Sequence, residues 1–252
     1  MINDEKCPKL KLNTLLSSLA ANECESICRK LEPVQLNYGE EIHDSKKIIF
    51  PLSCALALSS TSIDGDNIAL AVIGSEGLSG INNFLSDTPL PGLTTVIIPG
   101  MAMQVDYDIL RHEVGSDSDF TSRLLSYTQY LLLSISQLSH CNQRHNIVQR
   151  VSRTILQLRT IVESDRVPVT HEMLAYILGV RREVVTNTTI KLRAEGAISY
   201  SRGVIQIQQL STLTHLSCSC EQLSKTHFEN LFHKSLRTQN ISLCQQAESA
   251  VS

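Results

Sequence analysis

The chain has 252 residues, of which 42% are hydrophobic and 19% charged, with a formal net charge of −3. That length allows two hydrophobic cores, and 11 Gly and 7 Pro exclude a collagen-like or Pro-rich chain. The acidic start Met1-Ile2-Asn3-Asp4-Glu5-Lys6 is unlike a secretory signal, and no apolar run nears the roughly 18 residues that span a bilayer, so the expectation is a cytoplasmic protein with no membrane partner.

Charge is unevenly spread. Residues 141–203 carry ten Lys or Arg against five acids, whereas residues 48–110 carry six acids and no Lys, Arg or His. One part of the chain suits phosphates and the other repels them. The eight cysteines, at 7, 24, 28, 54, 141, 218, 220 and 244, contain no C-x-x-C pair. In a reducing compartment they are expected to be thiols.

Residues 9–32 predict short helices, with Leu12, Leu15, Leu16 and Leu19 at helical spacing and Pro33 stopping the pattern. From about Val34 to Leu110 short β-rich runs recur at 47–50, 55–60, 68–73, 94–98 and 101–105. The turn residues Asp64-Gly65, Gly74-Ser75, Pro89 through Gly92 and Pro99-Gly100 separate them. Evenly spaced short strands imply a small sandwich, jelly roll or barrel. Residues 117–140 contain no Gly or Pro. There Phe120, Leu124, Tyr127, Leu131, Ile135 and Leu138 step by three or four, predicting one long amphipathic helix of about 36 Å. That stripe reads either as packing on the protein's own sheet or as a dimer seam. The dimer is preferred, with Leu125, Tyr130, Leu132 and Leu133 left to cover the sheet. Asn142-Gln143-Arg144-His145 is the expected hinge. Ile147, Val151, Ile155, Leu158 and Val162 mark a further helix, and Ser164-Asp165-Arg166 a loop.

The stretch from Val169 to Gly196 is the most informative. Thr170 is suited to cap a helix, and Met173, Leu174, Ile177 and Leu178 give that helix an apolar face. Ala175 lets a second helix approach, Gly179 permits a positive-φ turn, and Val180 plugs it. Val184, Val185, Ile190 and Leu192 are the expected apolar positions of the second helix, and Gly196 its C-cap. Arg181, Arg182, Glu183, Thr186 and Asn187 fall in its first two turns, where a recognition helix reaches base edges. Residues 197–200 and 204–207, joined by Ser201-Arg202-Gly203, predict a β-hairpin wing. Arg202 is expected on phosphate, as are Thr170, Lys191 and Arg193.

In this order of elements the chain resembles the Crp/Fnr superfamily of bacterial regulators over about residues 10–232. The segment Leu178-Gly179-Val180-Arg181-Arg182-Glu183-Val184-Val185-Thr186 looks like the start of that family's recognition helix. Ile73-Gly74-Ser75-Glu76-Gly77-Leu78-Ser79-Gly80 looks like a β-roll segment of its ligand-less branch. The resemblance implies an α+β chain: an N-terminal β-roll (a double-stranded β-helix or jelly roll) at 1–116, a dimerisation helix at 117–141, a winged helix-turn-helix at 142–232 and a tail at 233–252. It implies a homodimer on a near-palindromic duplex DNA site, with Arg182, Glu183 and Asn187 where cyclic-AMP-dependent members read bases. RNA polymerase and an unidentified small-molecule effector are further candidate partners.

Cyclic-AMP-binding members hold the phosphate with a Gly-Glu pair and, some ten residues on, an Arg followed by Ser or Thr. Here Gly77 is followed by Leu78 and Gly80 by Ile81. A buried phosphate without a cation is disfavoured, so control by cyclic AMP is not expected. Cys7, Cys24 and Cys28 do not have the spacing of the family's iron–sulfur ligands. Cys24 and Cys28 read as core residues. Cys218 and Cys220 also read as packing residues, because residues two apart on a helix do not face each other. No cofactor and no metal site are expected. A thiol-based redox regulator of the same fold is the alternative. An enzyme is disfavoured by the lack of His in the strand region, and a protein-interaction module with a vestigial winged helix is the remaining reading.

Overall fold

In the computed structural model the described residues are 11–19, 27–42, 46–61, 63–64, 67–85, 93–114, 118–220 and 222–232. The expectations for Cys7, Cys24, Gly65, the Pro89–Gly92 turn and the tail from 233 onward lie outside them.

Among the described residues, seven strands lie in the N-terminal half: β1 Glu32–Leu36, β2 Glu41–Ile42, β3 Lys47–Pro51, β4 Ala55–Thr61, β5 Asn67–Ile73, β6 Leu93–Ile98 and β7 Gly100–Asp106. They make two antiparallel sheets, ordered β1-β7-β3 and β2-β6-β4-β5. All five strands expected from apolar runs are present within a residue or so of each end. β1 was not expected, because Pro33 reads as a helix stop. Pro33 pairs with Met103 on an edge strand, where a missing N–H leaves no ladder bond unmade. Of the helices expected over 9–32, the described residues show Thr14–Ser17, capped by Asn13, whose side-chain oxygen accepts from the N–H groups of Leu15 and Leu16, and a helical turn at residues 27–30. Asn13 Nδ2 donates to the carbonyls of Pro51 and Gly77 at 3.0 and 2.8 Å, so this buried amide ties the helix to the strands.

The side chains between the sheets include Leu36, Ile49, Leu56, Ile73, Val96 and Ala102. Strand β6 is buried at all six positions because both faces of its sheet are covered, one by this core and the other by the C-terminal half. Ala55, Ala57, Ala69, Ile97 and Ile98 belong to the same apolar cluster as Leu174, Ile177 and Leu178.

A short helix, Tyr107–Val114, follows β7, and then the long helix, Asp119–Arg144, capped by Ser118. The long helix extends three residues into the segment expected to be the hinge. The break falls at His145 and Asn146, where Asn146 and Gln149 form a reciprocal capping box that starts the linker helix Ile147–Val162. A strand of two residues, β8 Arg166–Val167, stands where a loop was expected and pairs with Ile205 and Gln206 of a later strand.

Candidate nucleic-acid interface

The positioning helix His171–Leu178 starts at Thr170, whose Oγ1 accepts from Met173 N–H at 3.1 Å. It stops at Gly179, which takes φ 62, a left-handed conformation with little cost only for glycine. Val180 N–H returns to the Ala175 carbonyl at 3.0 Å, and the recognition helix then runs Arg182–Ala194. Its N-cap residue, Arg181, makes no side-chain cap bond, and its carbonyl accepts from Val184 N–H at 3.0 Å. Gly196, with φ 71, lies one residue beyond the C-cap Glu195.

Arg181, Arg182, Glu183 and Asn187 are exposed along the first two turns. Thr186 is different. It is half-buried, and its hydroxyl meets His171 Nδ1 and the Arg182 carbonyl, each at 3.1 Å. The buried face is Val185, Thr188, Thr189 and Leu192. Val184 and Ile190, expected in the core, are 37% and 61% exposed. Helical spacing from Val185 brings 188, 189 and 192 inward, and the two threonines are tolerated there because their hydroxyls bond to helix carbonyls at 2.8 and 2.9 Å.

His171 has no counterpart among the expected site residues. Nδ1 meets Thr186 Oγ1 and Nε2 meets Thr189 Oγ1, both at 3.1 Å, and its ring stacks on Tyr200 at 3.9 Å. It therefore pins the positioning helix, the recognition helix and the wing together. Burial, and then the positive charge of Arg182, push its pKa below the usual value. A His two residues before an apolar helical face carries no sequence signal for this role.

The wing is β9 Ile198–Ser201 paired with β10 Val204–Ile207. Arg202 and Gly203 have φ 48 and 78, the two positive values of the tight hairpin turn that matches strand twist. Arg202 is exposed at the tip, and Lys191 and Arg193 are exposed in the last turn of the recognition helix. Thr170 is half-buried, with its hydroxyl 2.7 Å from that of Tyr38.

The expected dimer seam requires correction. Phe120, Leu124, Tyr127 and Leu131 are buried within the protomer, Ile135 packs against the same core, and Leu138 lines an internal pocket. This stripe covers the protein's own β-roll, because the largest side chains, anchored by the Tyr127 hydroxyl donating to the Leu78 carbonyl at 2.9 Å, fill the deeper space. The face left open carries Ser122, Leu125, Gln129, Leu132, Ser136, Ser139 and Gln143, all exposed. Leu125 and Leu132 are 53% and 63% exposed.

Behind the interface lies a cavity of about 240 Å³ lined by Glu76, Tyr130, Arg153, Gln157, Lys225 and Phe228. The strands offer it no cation, yet the linker helix and the helical residues 222–232 bring two. Burial raises the Glu76 carboxyl above the usual carboxylate range, and it accepts from Gly74 N–H at 3.0 Å. Two further amides of this turn are engaged: Gly77 N–H bonds to the Gly74 carbonyl and Ser79 N–H to that of Ile49.

The expected packing role of Cys218 and Cys220 is also incomplete. The last winged-domain helix, Leu210–Leu216, ends at Ser217, so Cys218 lies in the short connection before the next helical residues and Cys220 at their start, and the pair does not share one helix. Both side chains point to Cys141 and His145 at the end of the long helix.

A family model for the Crp-like helix-turn-helix domain matches residues 149–216. A search of curated proteins found no significant match. Among solved structures, FixK2 from Bradyrhizobium japonicum is 16% identical with a TM-score of 0.62, covering 75% of this chain and 98% of its own. A CRP/FNR-family transcriptional regulator from Thermus thermophilus is 17% identical with a TM-score of 0.60, over 74% and 98%. The c-di-GMP-responsive global regulator CLP from Xanthomonas campestris is 15% identical with a TM-score of 0.60, over 75% and 100%. The chain thus has the fold of the Crp/Fnr transcription regulators, and its residues 149–216 match the Crp-like helix-turn-helix domain.

Proposed function

We propose that the protein is a sequence-specific regulator that binds a near-palindromic duplex site as a homodimer and is not controlled by cyclic AMP. The observation that carries this reading is the open first half of the recognition helix. Arg181, Arg182, Glu183 and Asn187 project from it beside a wing tipped by Arg202. Arginine pairs with guanine, glutamate accepts from cytosine and asparagine pairs with adenine, so the face reads bases in a major groove. Arg202, Lys191 and Arg193 supply phosphate contacts, and so does Thr170 once its hydroxyl leaves Tyr38. Thr186 orients His171 in place of reading a base.

Two copies meet along Leu125 and Leu132, the apolar members of the exposed stripe, whose alternating three- and four-residue steps are those of a coiled-coil seam. The paired recognition helices then enter successive major grooves about 34 Å apart. Cyclic AMP independence is supported by the Gly74–Gly80 turn, whose amides named above already have partners and whose flanking strands hold no cation. Arg153 and Lys225 face the cavity from other elements and suit a different, acidic effector.

Selection of oligonucleotides followed by footprinting at fixed salt tests this reading. A symmetric consensus protected over two half-sites is expected. Arg182→Ala and Asn187→Ala should each weaken binding by about 1–3 kcal/mol and relax preference at one base position. Absence of any preferred duplex over random competitor, or calorimetric binding of cyclic AMP in the micromolar range, would overturn the corresponding part.

A further inference from the structure

Four metal-ligating side chains converge where the long helix ends. The Sγ atoms of Cys141, Cys218 and Cys220 and a ring nitrogen of His145 all lie within 4.8 Å of one another. Cys141 and His145 are one helical turn apart, and the connection through Cys218 to the helical Cys220 delivers the other two from beyond the winged domain. All three cysteines are buried and form an apolar cluster of their own.

The spacings resemble the edges of one coordination tetrahedron. Zn–S bonds of about 2.3 Å and Zn–N bonds of about 2.0–2.1 Å at tetrahedral angles give S···S edges of about 3.8 Å and S···N edges of about 3.6 Å. Cys141 Sγ lies 3.7 Å from Cys218 Sγ, and Cys220 Sγ lies 3.5 Å from His145 Nδ1. A disulfide needs about 2.05 Å between sulfurs, and the several iron and sulfide atoms of a cluster would hold its ligands farther apart. The surroundings fit a thiolate-rich centre. Gln137 Nε2 donates to Cys220 Sγ at 3.0 Å, the type of outer bond that orients a metal ligand. Three thiolates around Zn²⁺ leave one net negative charge, and Arg150 and Arg153 both lie close enough to Cys141 to interact with it electrostatically.

We propose that Cys141, Cys218, Cys220 and His145 form a tetrahedral Zn²⁺ site that clamps the hinge. Binding forms three Zn–S bonds and one Zn–N bond with no change of oxidation state, and the thiol protons pass to solvent. The metal ties the end of the long helix to the chain beyond the winged domain, so residues 146–217 become a closed loop. The orientation of the recognition helix relative to the long helix is thereby restrained.

The test uses the full chain, stripped with chelator under reducing conditions and titrated with Co²⁺. One Co²⁺ per chain is expected, with sulfur-to-cobalt charge-transfer bands and tetrahedral d–d bands that one equivalent of Zn²⁺ abolishes. Cys220→Ser should remove about a third of the charge-transfer intensity and weaken binding by about 10-fold or more, whereas Cys54→Ser should leave both unchanged. Native mass spectrometry of the unaltered chain, which needs no variant to fold, should show one zinc bound with loss of the displaced protons. Zn²⁺ should also raise Tm and slow proteolysis at His145 and Asn146. No bands, bands unaffected by Cys220→Ser, or a Cys141–Cys218 disulfide in protein kept reduced and supplied with zinc would overturn the proposal. None of these readouts involves DNA, so failure here and failure of the DNA-binding reading are separable.

Discussion

His171 joins three elements with one imidazole. Both ring nitrogens meet threonine hydroxyls and one ring face meets Tyr200; the neutral ring donates to one hydroxyl, while the other hydroxyl divides its single proton between the ring's acceptor nitrogen and its helix carbonyl. Its pKa is lower in the folded protein than the ordinary value of about 6.5. The unfolded chain therefore binds a proton first on acidification. The stabilising contribution is whole above about pH 6.5 and is lost as pH falls through the depressed folded value. Thermal unfolding followed from pH 7.5 to 5 should show Tm falling more steeply for the wild type than for His171→Phe. Equal slopes would remove the role assigned here. At the wing tip, Arg202→Asn separates charge from conformation, because asparagine also accepts positive φ. DNA binding should weaken evenly across sequences, with the salt slope reduced by about 1. An unchanged slope would mean that Arg202 does not reach phosphate.

The long helix shows how one element serves two surfaces. Its period was legible in the residues, because Phe120, Leu124, Tyr127 and Leu131 recur at helical spacing. Which stripe would face inward was not, since hydrophobic periodicity gives a buried face without naming what buries it. The bulkier stripe fills the protomer's own core, and a sparser one with Leu125 and Leu132 is left outside. Leu125→Glu combined with Leu132→Glu should yield monomers in light scattering while preserving the helical circular dichroism, since neither side chain is in the core. Dimers persisting in the double variant would place the interface elsewhere. On the recognition helix, Ile190 reads as core from its residue type, yet Thr188 and Thr189 occupy that face. Exposed beyond Asn187, Ile190 is available to a thymine methyl.

At the scale of the whole molecule, the winged domain rests against the four-stranded sheet. The Tyr176 hydroxyl bonds to Ser59 and to Thr95, the latter at 3.2 Å, and Tyr38 bonds to Thr170. Thr170 is expected to face phosphate, so DNA must compete with the β-roll for this hydroxyl. A neutral hydrogen bond is worth about 0.5–1.5 kcal/mol net. Tyr38→Phe should therefore raise DNA affinity by about 2- to 10-fold, with Tm lowered by a few degrees at most because the same bond is lost from the free folded protein. Equal or weaker binding in a direct titration would show that this contact does not oppose DNA.

Local patterning was enough to reveal five strands, two of the amphipathic helices, the Thr170 cap, the Gly179 turn and the wing, because each depends on residues within a few positions of one another. The edge strand at Pro33, the inward stripe of the long helix, the His171 pin and the convergence of Cys141, His145, Cys218 and Cys220 were set by the three-dimensional fold. In each of these the deciding neighbour lies elsewhere in the chain, up to 79 positions away for the cysteines. Periodicity along one segment carries no record of which distant segment will pack against it.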